Sequence, residues 1–271
     1  MRISIVTGIA FILVFASESK IARGSTDPHA ASAHASKGHA TDQAKGHEKH
    51  WGYEGGEGPL HWGELKSEFK LCGQGKAQSP VDIQSPLLGR PEPIQFMYRP
   101  TSGEIVNNGH TIQVNLGKGS AIRVGGVRYE LLQFHFHTPS EHSMHGRLAD
   151  LELHFVHKSA KGKLAVVGVM IEKGSASEWL GQLWRNIPRE IATPISLTEH
   201  LVNPFVFLPE DKEYFSYSGS LTTPPCSEGV SWNVMKNPIT LSLDQIKLFQ
   251  AFYSHNARPV QPLLGRKVTA H

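Results

Sequence analysis

His135, His137 and His154 are the residues whose types and spacing most directly carry chemistry. Side chains two apart on a strand share a face. In Gln133-Phe134-His135-Phe136-His137 both imidazoles therefore aim one way and both phenyl rings the other. In Glu152-Leu153-His154-Phe155-Val156-His157 the same parity groups Glu152, His154 and Val156 and sends His157 to the far side. A neighbouring antiparallel strand can then bring His154 to the first pair. Three neutral imidazoles without a thiolate suit zinc, and three protein ligands leave the fourth tetrahedral position to water, the arrangement of a catalytic site. For His-x-His alone, core histidines with satisfied ring nitrogens are the plainer explanation. The third histidine at matching parity shifts the balance, as do Gln133 and Glu152, each two residues ahead of a ligand on its own face. A ligating imidazole normally donates its other N–H to such a neighbour.

The elements that must position these residues are mainly β. Runs rich in apolar and β-branched residues at 111–116, 121–124, 128–137, 150–157, 164–172 and 229–236 read as strands. The Asn-Gly pair at Asn108-Gly109 marks a tight turn. Two helices are expected. Residues 175–186 open on a Ser-x-x-Glu capping box that ends at Glu178, with Trp179, Leu183 and Ile187 on one face. Residues 242–254 open on Ser-x-x-Gln ending at Gln245, with Ile246, Phe249 and Tyr253 as the inward stripe. Both stripes are read as core.

The chain has 271 residues, 39% hydrophobic, with a formal charge of +3. Scattered Lys and Arg give no basic patch, so nucleic-acid binding is not expected. Residues 1–16 read as a secretory signal: Arg2, an apolar run from Ile3 to Phe15, and small-residue cleavage at Val14-Phe15-Ala16. The run is too short to span a membrane, for which about 20 apolar residues are needed. Residues 17–49, rich in Ala, Ser, Gly, Lys and His, are expected to be disordered. Their histidines, His29, His34, His39 and His47, with His50 just beyond, suit a solubilising spacer first and a weak metal-chelating tail second. Residues 50–271 are expected to form one domain. Two cysteines, Cys72 and Cys226, are expected to pair in an oxidising compartment, buried free thiols being the alternative.

Five stretches then occur in order: Gln78-Ser79-Pro80-Val81-Asp82-Ile83, Asn107-Asn108-Gly109-His110, Gln133 to His137, Glu152-Leu153-His154, and Ser220-Leu221-Thr222-Thr223-Pro224-Pro225. With them the chain resembles the α-class carbonic anhydrases from about His50 to Leu263. The resemblance implies a large twisted, mostly antiparallel central sheet with a few peripheral helices. It implies a Zn2+ enzyme that hydrates CO2 reversibly to bicarbonate and a proton by attack of zinc-bound hydroxide, with weak esterase activity on the side. His135, His137 and His154 would hold the metal, and Gln133, Glu152 and the carbonyl of Asn256 would support them. Thr222 and Glu141 would orient the nucleophile, and His110 would shuttle protons through water ordered by Tyr53, Asn108 and Gln113. Val156, Val166, Leu221, Thr223, Val230 and Trp232 would form an apolar wall for CO2. His142, His145 and His157 fall outside this set. The short link Thr138-Pro139-Ser140 between His137 and Glu141, the cysteine pair, and the lack of an Asn-x-Ser/Thr site resemble the exported bacterial branch. That branch implies a periplasmic or secreted location, a homodimer, and sensitivity to sulfonamide-type and anion inhibitors. Two other classes are a catalytically silent relative that binds a partner, which loss of a ligand would signal, and an exported zinc-binding protein acting through its tail.

Overall fold

The computed structural model describes residues 50–89, 92–197 and 201–271. The expected signal segment and His-rich stretch lie outside the described residues. A mixed, mostly antiparallel sheet organises the rest, with thirteen strands among the described residues. Along its centre run Gly103–Asn107, Ile112–Leu116, Val127–His137, Leu151–Ser159, Leu164–Lys173, Glu228–Met235 and Tyr214–Ser220, in that spatial order. All neighbours in this series are antiparallel except Leu164–Lys173 and Glu228–Met235, which pair in parallel.

Register decides what this sheet presents. His135 pairs directly with His154, Gln113 with His135, and Gly168 with His154 from the other side. Val156 pairs with Val166, which pairs with Trp232. These residues share one face. The opposite face buries Phe134, Phe136, Leu153, Phe155, Val167 and Val169 against Leu180, Leu183, Trp184, Ile246 and Phe249 of the two longer helices. Such burial is worth roughly 25 cal/mol per Å² of apolar surface, so a one-residue slip that turned either set outward would be heavily disfavoured.

A β-bulge makes the face assignment work along the whole strand. The register shifts between Leu131 and Gln133, leaving Leu132 unpaired and 43% exposed. Odd-numbered Tyr129 and Leu131 thereby join even-numbered Phe134 and Phe136 in one core, while Gln133, His135 and His137 turn to the site.

The six expected strands all form, displaced by one or two residues at their ends. Tyr214–Ser220 was not expected, because its Ser and Gly residues blur the alternation on which a strand is recognised. The first helix is a correction. It spans Glu178–Trp184, shorter than 175–186, with Ser177 as its cap and the Ser177 hydroxyl accepting from the Leu180 N–H. Glu178 is thus the first helical residue and closes no capping box, and Trp179 stands 48% exposed while Leu180, Leu183 and Trp184 turn inward. The second helix, Leu243–Gln250, does open on the expected box: Gln245 N–H donates to Ser242 Oγ at 3.3 Å and Ser242 N–H to Gln245 Oε1 at 3.1 Å. Gln245 also exchanges hydrogen bonds with the Ser177 backbone, joining the two caps.

Cys72 and Cys226 are bonded, 154 residues apart in sequence, and pack with buried Trp62. No helix among the described residues is long and apolar enough to cross a membrane.

Candidate metal centre

One nitrogen from each of His135, His137 and His154 lies within 4.8 Å of the other two. The other nitrogen of each ring is already committed. His135 Nδ1–H donates to Gln133 Oε1 at 2.8 Å, His137 Nδ1–H to the Asn256 carbonyl at 2.7 Å, and His154 Nε2–H to Glu152 Oε1 at 2.8 Å. These partners fix the tautomers and leave Nε2, Nε2 and Nδ1 with lone pairs facing one another. Desolvation by burial lowers all three pKa values, that of His137 to about 4. The rings are neutral at pH 7, the state a metal requires.

Glu141 stands over this cluster. Its Oε1 accepts the Arg258 backbone N–H at 2.9 Å, while Oε2 is buried without a partner, 3.6 Å from His137 Nε2 and 3.8 Å from His154 Nδ1. His137 Nε2 is also buried and unpartnered. A lone pair and a carboxylate oxygen that face each other in a dry site repel unless a cation or a proton lies between them. Three neutral imidazoles converging on one point, without a thiolate, are a donor set that fits a divalent metal such as zinc. Burial pushes Glu141 up to about 7, against the opposing effects of His154, the Arg258 N–H and a hydrogen bond with the Thr222 side chain.

The other candidate residues lie around this cluster. Asn256 holds two things at once: its carbonyl takes His137, and its side-chain amide donates to the His110 and Phe136 carbonyls, both at 3.0 Å. Gln113 lies beside His135 on the next strand and accepts from Asn108 Nδ2 at 3.4 Å. Gly109 takes φ +87°, and the Asn108 side chain accepts the N–H of both His110 and Thr111. Tyr53 lies within electrostatic reach of Glu141, and burial, then Glu141, raises its pKa well above the usual value. Val166, Val230 and Trp232 form one buried cluster with Val156 and Leu221 packed against it. The Trp232 ring contacts the His154 ring, centroids 4.9 Å apart, and its indole N–H donates to the Ser220 carbonyl. Thr223 is half-buried beside Thr222, and its carbonyl accepts the Cys226 N–H.

His142 is a correction. It was set apart from the site, yet its Nδ1 meets Glu152 Oε1 at 2.8 Å and its Nε2 meets the Tyr217 hydroxyl at 2.6 Å. His145 is exposed, and His157 lies on the far face against the Tyr98 hydroxyl at 2.8 Å, so these two do stand apart. Arg258 was also missed. It is 2% exposed and donates to Gln78 Oε1 and to the Ser79 and Cys72 carbonyls. Neither role has a local signature, since the partners lie up to 186 residues away.

Three converging imidazoles with a buried carboxylate beside them make a candidate metal centre on one face of a broad β-sheet. The sequence matches the eukaryotic-type carbonic anhydrase family over residues 57–271. A carbonic anhydrase from Pectobacterium atrosepticum is 43% identical over 224 residues, 80% of this chain and 89% of that protein. One from Nostoc is 42% identical over 233 residues, 84% of this chain and 88% of that protein. The solved α-carbonic anhydrase from Thermovibrio ammonificans, in complex with sulfanilamide, superposes with TM-score 0.79 at 44% identity, covering 81% of this chain and 98% of that one. The chain belongs to the α-carbonic anhydrase family and is an enzyme of that kind.

Proposed function

We propose that this enzyme hydrates CO2 reversibly to bicarbonate and a proton at a Zn2+ ion held by His135, His137 and His154. The observation that carries the reading is the convergence of three ring nitrogens within 4.8 Å of one another, with His137 Nε2 buried and without a partner. Carbonic anhydrases are themselves the reference case for what zinc supplies there: Lewis acidity and a water acidic enough to lose a proton near neutral pH.

The chain's own residues do the rest. Gln133, Asn256 and Glu152 keep each imidazole in the ligating tautomer. The Thr222 hydroxyl donates a hydrogen bond to the Glu141 carboxylate, so that Thr222 Oγ1 is left to accept one and selects the orientation of a nucleophile that still carries hydrogen. Val156, Val166, Leu221, Val230 and Trp232 offer CO2 a dry wall, which suits a small apolar substrate better than charged clamps would. Thr223 extends this rim beside Thr222. His110 takes the released proton through water ordered by Tyr53, Asn108 and Gln113 and passes it outward. The same geometry supports slow hydrolysis of activated esters and, as in the sulfanilamide-bound relative, capture of sulfonamides. The Cys72–Cys226 bond supports an exported, oxidising location.

A silent relative would be expected to lack a ligand, and the sequence keeps all three histidines. Elemental analysis tests the reading: His135→Ala purified beside the unaltered chain should lose its zinc while keeping its far-UV spectrum. Equal zinc content in the two would overturn the ligand assignment.

A further inference from the structure

The His110 ring lies flat on the Trp51 indole, with centroids 3.7 Å and planes 7° apart. Trp51 is itself packed edge-on against Trp62 at 5.4 Å and Tyr53 at 5.8 Å, so the stack is anchored in the protein. Next to it stands His50, whose ring meets His110 edge-on at 5.0 Å between centroids. His110 is half-buried and His50 is exposed. A proton that reaches His110 thus has a second, more exposed imidazole beside it.

We propose that His50 is a second proton carrier, which takes the proton from His110 and releases it to the medium. The proposal rests on the reading of His110 as the shuttle. The N–H bond of the His110 imidazolium breaks as an N–H bond forms on neutral His50, directly or through one water, and His50 then protonates a buffer base. Both rings return to their starting state. Tyr253 donates to Asn107 in the same turn, and burial raises it to about 12, so it stays neutral and offers no competing acceptor.

The test is stopped-flow CO2 hydration on the full zinc-loaded chain at low and high buffer, with His50→Ala, His110→Ala and the double variant. His50→Ala should lower kcat about threefold at low buffer, leave kcat/KM unchanged, and recover with added imidazole. The double variant should be no slower than His110→Ala, because the two carriers act in series. Wild-type kcat for His50→Ala at low buffer would overturn the proposal. So would an equal fall in kcat/KM, which would mean damaged packing, or a double variant slower by the same factor again, which would place His50 on a separate route. If His110→Ala also matches wild type, the shuttle reading falls as well; if it slows while His50→Ala does not, only the second carrier is lost.

Discussion

Glu152 shows how much of a candidate metal centre depends on residues outside the ligand set. Its Oε1 takes both His154 and His142 at 2.8 Å, and its Oε2 takes the Glu141 and His142 backbone N–H groups at 2.9 and 2.8 Å. Burial alone would raise this carboxyl, but the two histidines outweigh it and hold it well below the usual range. It stays charged, keeps His154 in the ligating tautomer, and fixes the backbone that carries Glu141. On the far face His157 is the opposite case, an imidazole with no charged partner, lowered to about 3 by burial against the hydrogen bond it gives Ala165. Because its folded pKa lies below the unfolded value near 6.5, the unfolded chain binds the extra proton between those values. Stability is therefore lost as pH falls from about 6.5 toward 3. Between pH 7 and pH 5 this group should cost about 2 kcal/mol. Urea unfolding of His157→Gln should show a pH dependence smaller by about that amount, and an unchanged difference would show that His157 titrates normally in the fold.

At the scale of the strand, the site is a product of register. The period-two alternation of Gln133 to His137 and of Glu152 to His157 was legible because the two faces differ, polar residues on one and the phenyl-rich core on the other, so that parity is strongly enforced. The bulge at Leu132 was not legible, since its cause is the distant pairing partner and not the local sequence. The helix start at Ser177 was missed for a related reason: two serines precede the apolar residues, and only packing of Leu180 and Trp184 decides between them. One further element constraint follows from Gly168, paired with His154. A Cβ there would lie 2.9 Å from Glu152 Oε1, and a carboxylate held by four hydrogen bonds has little room to yield. Gly168→Ala should weaken zinc binding roughly tenfold, the low end for losing such a ligand partner, measured by competition with a chromophoric chelator. An affinity equal to wild type would mean that Glu152 shifts without effect on His154.

At the scale of the molecule, one face of the sheet carries chemistry and the other carries the main core, and the N-terminal helical segments are strapped across by Cys72–Cys226. The strap bears on the site from two directions. Cys226 follows Thr222 by four residues and binds back to Thr223, while the Cys72 carbonyl receives Arg258, whose own N–H holds Glu141. The three histidines and Val156 could be grouped from strand alternation alone, whereas Glu141 and the rest of the apolar wall entered only through the family resemblance. His142, Tyr217 and Arg258 were not legible, because their meaning depends on contacts across the whole fold. Hydration of CO2 by this chain is proposed to require a metal at the three-histidine point. Stopped-flow CO2 hydration should be followed on the full chain as purified, after chelation, and after zinc is returned. Turnover should vanish with the metal and return in proportion to zinc bound, up to one ion per chain; turnover that persists in the metal-free protein would contradict it.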